Sequence, residues 1–132
     1  MTRRRIARLV ACCVAAALVW ACGPVFIPVP PPTQTAFTLD TSITDAEGNQ
    51  YWIAAGGPSP RAANGTYYIF DRERNSGVIA GAMGDGSYVA PPMRGVEGDH
   101  VLVNYREVNG KFSAVACLIL SEARPSAAVC PP

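Results

Sequence analysis

From residue 35 onward apolar and polar side chains alternate with a period near two, and turn-forming residues interrupt the alternation every 8–12 residues. No stretch of ten or more residues there carries the 3.6-residue periodicity of a helix. This is the rhythm of short strands closed into a sandwich or barrel. Phe37, Leu39, Thr41 and Ile43 alternate with Thr38, Asp40, Ser42 and Thr44 as a first strand. Residues 51–53, 66–71, 78–82, 87–90, 100–108 and 112–120 supply six more, seven in about 85 residues. Turns fall at 45–49, 73–77 and 84–86, a loop of sequence GGPSPRAAN at 56–64, and Pro91-Pro92 stops a strand because neither residue can donate to a ladder. Asn109-Gly110 predicts a two-residue type I′ hairpin. In 66–71, Tyr67 and Ile69 share one face and Tyr68 and Phe70 the other.

Glycine and proline together make up 24 of the 132 residues, about 18% and short of the roughly 25–30% at which disorder becomes the default. The body therefore folds, and its length allows one domain. It has no cluster of Lys and Arg, so it offers no electrostatic footprint for nucleic acid.

The turn residues carry a resemblance. Gly65-Thr66, Ser76-Gly77, Asp85-Gly86-Ser87-Tyr88, Gly98-Asp99 and Asn109-Gly110 resemble, in order, the turns of bacterial immunoglobulin-like repeats and of carboxypeptidase-regulatory-like, transthyretin-like domains. About 50 residues match well and 37–53 loosely. The resemblance implies an all-β, seven-stranded antiparallel immunoglobulin-like β-sandwich over residues 36–132. It implies a structural, adhesive or interaction role without catalytic residues.

The first 21 residues differ in kind. Arg3, Arg4, Arg5 and Arg8 precede the uncharged run LVACCVAAALVWA at 9–21, a cationic start and a short apolar core as in a secretory signal peptide. Thirteen residues fall short of the roughly 20 that span a bilayer. A buried helix is a poorer reading, since the run is apolar all round, and Ile6-Ala7-Arg8 departs from the twin-arginine pattern. The run ends in Val19-Trp20-Ala21-Cys22, which resembles the lipobox of bacterial lipoproteins, with Trp20 where that pattern has a small residue. The resemblance implies lipidation of Cys22, palmitate included, and cleavage before it, against the alternatives of an ordinary secreted protein or an uncleaved anchor. Gly23, where an Asp would signal inner-membrane retention, leans towards the outer membrane. Residues 22–35 then read as a stiff tether, with five prolines between Pro24 and Pro32 favouring extended polyproline II. A ligand for an SH3-type domain is the sharper but less fitting reading of those prolines.

On this division five cysteines resolve: Cys12 and Cys13 leave with the signal, Cys22 takes the lipid, and Cys117 and Cys130 remain to form a disulfide in an oxidising compartment. Losing the four signal arginines leaves seven cations against ten acids, so the formal +1 of the full chain becomes −3.

Residues with chemistry are sparse. His100, the one histidine, sits beside Asp99 at a strand start and reads as half-exposed on a polar face rather than as a catalytic base. Asp71 and Glu73 read as a solvated pair, not a glycosidase pair. Asp45, Glu47 and Asn49 have the spacing of a calcium loop, but the glycine falls at the fourth position and no Glu occupies the twelfth, so a hairpin turn is expected. The GDG at 84–86 precedes neither a helix nor a lysine, as a phosphate loop would. A zinc site would need more than one histidine and two free cysteines. No catalytic residue, metal or cofactor is expected. The candidate binding surface is Tyr51, Trp52, Tyr67 and Tyr68, to be weighed against plain core packing. The chain is thus expected to be a lipid-anchored envelope protein acting as a structural or protein-interaction module, its partners the membrane and an envelope protein. A surface carbohydrate- or adhesin-type binder using the aromatic faces or the 56–64 loop is the alternative.

Overall fold

A computed structural model describes residues 28–32, 35–43 and 45–122. The expected signal peptide, Cys22 and Cys130 lie outside them. Eight strands are present among the described residues: β1 (Thr35–Leu39), β2 (Tyr51–Gly56), β3 (Thr66–Asp71), β4 (Ser76–Gly81), β5 (Tyr88–Val89), β6 (Met93–Arg94), β7 (His100–Arg106) and β8 (Ala116–Ile119). They form two antiparallel four-stranded sheets. In the first, β1 pairs β2, and β5 and β6 pair β2 in succession; the second runs β4-β3-β7-β8. A single turn of 3-10 helix at Pro60–Ala62 is the only helical element described.

The alternation seen in the sequence selects the faces. Tyr67, Ile69, Val101, Val103, Tyr105 and Leu118 of the second sheet point inward against Phe37, Trp52, Ala54, Tyr88 and Met93 of the first, and all are buried in one core. Tyr67 and Tyr88 stack across it with ring centroids 3.8 Å apart, and Tyr105 tilts against Tyr67 at 5.5 Å. Burial pushes all three phenols up, Tyr88 to about 12 despite its hydrogen bond with Thr35.

Four expectations change. The eighth strand is β6, which resumes pairing with β2 after Pro91-Pro92 have ended β5. The first strand stops at Leu39 rather than continuing to residue 44: the Asp40 carboxylate accepts the Ser42 N–H at 2.9 Å, an Asx-turn that bends the chain out of the ladder. The Asn109-Gly110 turn is not type I′, because Gly110 has φ +89 while Asn109 does not share the left-handed conformation. Gly110 N–H donates to the Glu107 carbonyl at 2.9 Å and Glu107 N–H to the Lys111 carbonyl at 2.8 Å. This is a type I turn followed by a left-handed glycine, the usual three-residue hairpin loop.

Finally, 112–120 is not one strand. Phe112 bridges Arg106, whereas Ala116 pairs Val103, so four steps on one side oppose three on the other. That is a β-bulge. Ser113 fills the gap, its Oγ accepting the Tyr105 N–H at 2.9 Å. The Ala114 N–H, turned out of the ladder, donates instead to the Val29 carbonyl at 2.9 Å. Val29 and Pro32 are buried. The end of the expected tether is therefore docked on the sandwich, held by the donor that the bulge sets free.

Candidate functional site

The four aromatic residues expected to form one surface are separated by the fold. Trp52 and Tyr67 are each 2% exposed, with Trp52 Nε1 donating to the Gly95 carbonyl at 3.2 Å and the Tyr67 hydroxyl to the Gly86 carbonyl at 3.3 Å. Tyr51 lies on the outer face of the first sheet, its hydroxyl 3.2 Å from Asp45 Oδ2. Tyr68 lies on the outer face of the second, against Phe112 at 5.9 Å. Adjacent strand residues point to opposite faces, and the two faces of a sandwich cannot form one platform.

A concavity lies elsewhere. A groove of about 350 Å³ opens where residues 28–32 meet the 56–64 loop. Pro30, Pro31 and Pro32 line one side, Pro58, Ser59, Pro60 and Arg61 the other, and Tyr67 and Tyr105 reach it from the core. Three local features hold these walls. The docking of Val29 fixes the first. The loop is fixed by Ser59 N–H on the Asp85 carbonyl at 2.9 Å and Asn64 N–H on the Met83 carbonyl at 3.0 Å. Gly86, at φ +83, lets its backbone run beneath Ser59, where a Cβ would lie 1.8 Å from the Ser59 carbonyl oxygen. The walls carry one charge, Arg61, which is exposed at the rim. Sequence reading singled out the 56–64 loop but not the opposite wall, since nothing local marks residues 28–32 as docked.

The polar residues singled out in the sequence also find their places. Asp45 is held down to about 2 by the Asn49 amide at 2.7 Å, with help from the N–H groups of Glu47 and Asn49. Its two oxygens accept from the Glu47 and Asn49 N–H groups, the Asn49 amide and the Tyr51 hydroxyl, all within the connection between β1 and β2. Glu73 turns outward to His100, Oε1 to Nδ1 at 2.9 Å, and accepts the His100 N–H at 2.8 Å. Slight burial would raise the Glu73 carboxyl, but these two bonds outweigh it and leave it lowered.

Asp71 faces the other way and is 0% exposed, so it does not form the solvated pair with Glu73 expected from the sequence. Its Oδ1 accepts the Arg74 N–H at 2.9 Å, and its Oδ2 has no hydrogen-bond partner among the described residues. Burial pushes it up to about 6, and the neighbouring Asp99 carboxylate adds to the rise. Asp99 accepts Arg74 Nε at 3.1 Å and the Val96 N–H at 2.8 Å. Among the described residues no group of three or more His, Cys, Asp or Glu could hold a metal ion, and no helix is long and apolar enough to cross a membrane.

No protein family, curated protein or solved structure matches the chain.

Proposed function

We propose that the chain is an exported bacterial lipoprotein whose immunoglobulin-like sandwich serves as a non-catalytic protein-interaction module of the cell envelope, taking an extended peptide segment of a partner into the proline-walled groove. The groove itself carries this reading. Two apolar walls with tyrosines at the floor and a hydroxyl at Ser59 suit an extended backbone, which needs a preformed slot and a few polar anchors. Arg61 at the rim favours a segment with an acidic group or a free carboxylate. Sugar binding by ring stacking is the second reading: with Trp52 and Tyr67 covered, it would use Tyr68, Phe70 and Phe112 on the outer face of the second sheet.

Signal cleavage after residue 21, lipidation of Cys22 and outer-membrane residence belong to the same proposal and rest on the N-terminal pattern. So does the pairing of Cys117 with Cys130. In its favour, Cys117 shares with Leu102 the outer face of the second sheet and is largely covered there although it lies on the edge strand β8.

Two measurements test the proposal on the full chain in a bacterial host. A palmitate analogue is expected to label the wild type and not Cys22→Ala, and an unlabelled wild type removes the anchor. A photo-crosslinking amino acid in place of Pro58, which lines the groove and is exposed, is expected to capture a protein, while the same probe in place of the exposed Glu97 captures none. Equal capture at both positions, or none at 58, removes the groove.

A further inference from the structure

Antiparallel ladders leave alternate residues of an edge strand with both backbone groups facing outward. Ala82 N–H donates to the Gly65 carbonyl of the chain entering β3, and the β3–β4 register runs from Thr66↔Gly81 to Asp71↔Ser76. It follows that Ser76, Val78 and Ala80 bond to β3, whereas Gly77, Ile79 and Gly81 direct their N–H and C=O groups away from the sheet. All three are exposed, Ile79 at 61%.

Sheet edges are normally protected by prolines, charges, bulges or short length. Two of the other edges have such devices: Pro91 and Pro92 interrupt β5–β6, and β8 is four residues long behind its bulge. β4 has none. It is the longest edge strand at six residues, SGVIAG, with no proline, charge or bulge.

We infer that the open edge of β4 pairs antiparallel with β4 of a second copy of this chain about a two-fold axis at Ile79. In that register Ile79 meets Ile79 of the other copy, and Gly77 of each copy meets Gly81 of the other, so every outward group finds its mate. The flanks also agree in charge. The turn before β4 carries Arg72, Glu73 and Arg74, and the two-fold brings it to the turn after β4, whose one charge is Asp85. On the outer face the apolar strip of Tyr68, Phe70 and Ile79 continues across the axis. A six-residue edge is small for a protein interface, so the association is reversible and concentration-dependent. It is independent of the groove, which lies beyond the ends of other strands.

The test uses the full chain in its bacterial host. Cβ atoms of a hydrogen-bonded antiparallel pair lie about 5.5 Å apart, too far for an unstrained disulfide but within the span of a short bis-maleimide. Ile79→Cys treated with that cross-linker is therefore expected to give a covalent homodimer on a denaturing gel, and Val115→Cys, similarly exposed near β8, none. Light scattering of the full chain in detergent is expected to show a dimer that Gly81→Pro reduces to a monomer, since that proline removes an outward donor and spares the β3 ladder. A wild type monomeric at every concentration, a folded Ile79→Cys chain that does not cross-link, or one that cross-links only to a different protein overturns the inference.

Discussion

Thr35 Oγ1 lies 2.9 Å from the Tyr88 hydroxyl, a buried hydrogen bond between residues 53 apart in the chain. It ties the start of β1 to β5 at the groove end of the sandwich. Removing one partner strands the other, at about 1–3 kcal/mol, whereas removing both leaves an apolar contact of similar shape. Tyr88→Phe and Thr35→Val are each expected to destabilise by about that amount, and the double variant by clearly less than their sum. Urea unfolding of the four chains measures the coupling. Additive losses refute it.

Asp71 sets a pH dependence whose sign is unusual for a carboxylate. Burial raises it to about 6 in the folded chain, against 3.8 for an unperturbed group. Between those values the folded state binds more protons than the unfolded state, so stability falls as pH rises from about 4 to about 6 and stays lower above. The loss is on the order of 3 kcal/mol. Asp40, Asp45 and Asp85, held low by hydrogen bonds within their turns, act in the opposite sense, and their contribution disappears as pH falls below about 4. Asp71→Asn keeps the acceptor for Arg74 and cannot ionise. Its urea midpoint is expected to stay level from pH 4.5 to 7.5 while that of the wild type declines. Parallel curves would exclude Asp71 as the source.

Gly86 and Gly48 separate conformational strain from collision. Both have positive φ, +83 and +71, but a Cβ on Gly86 meets the Ser59 backbone and one on Gly48 meets nothing within 4 Å. Gly48→Ala is expected to cost about 1–2 kcal/mol. Gly86→Ala is expected to cost more, on the order of 3 kcal/mol, and to loosen the 56–64 loop. Thermal melts give the costs, and hydrogen exchange at Ser59 reports the loop. Equal costs would mean that the close approach is not maintained in solution.

Val29 is expected to control the proline segment. Val29→Ser removes about 1–2 kcal/mol of apolar burial and frees residues 28–32 for proteolysis, while the near-ultraviolet signal of the tyrosine stack persists. A segment as resistant to protease as in the wild type would show that other contacts hold it.

The outcome of the sequence reading divides by the range of the interactions involved. Which residues of β3 and β7 share a face was legible because Tyr67 and Ile69, and Val101, Val103 and Tyr105, follow a local period of two, but which of the two faces is inward was not. The hairpin role of Asp45 was legible because its partners lie within six residues. What was not legible depends on distant chain. Trp52 and Tyr67 could have been surface rings until the second sheet was laid over the first. Asp71 looked solvated because its neighbour Asp99 is 28 residues away in sequence, and the bulge at Ser113 is visible only against the register of β7. The groove needed the docking of residues 28–32, which hangs on that bulge.

The Val29–Ala114 contact has a mechanical consequence. Among the described residues, tension applied from the N-terminal side meets the Val29–Ala114 hydrogen bond and the burial of Val29 and Pro32 before the ladder of β1 with β2. That contact yields first. Its release would free residues 28–32 while both sheets stay closed. The segment would then act as a force-sensitive slack: stretching would lengthen the leash and, in the same motion, remove one wall of the groove.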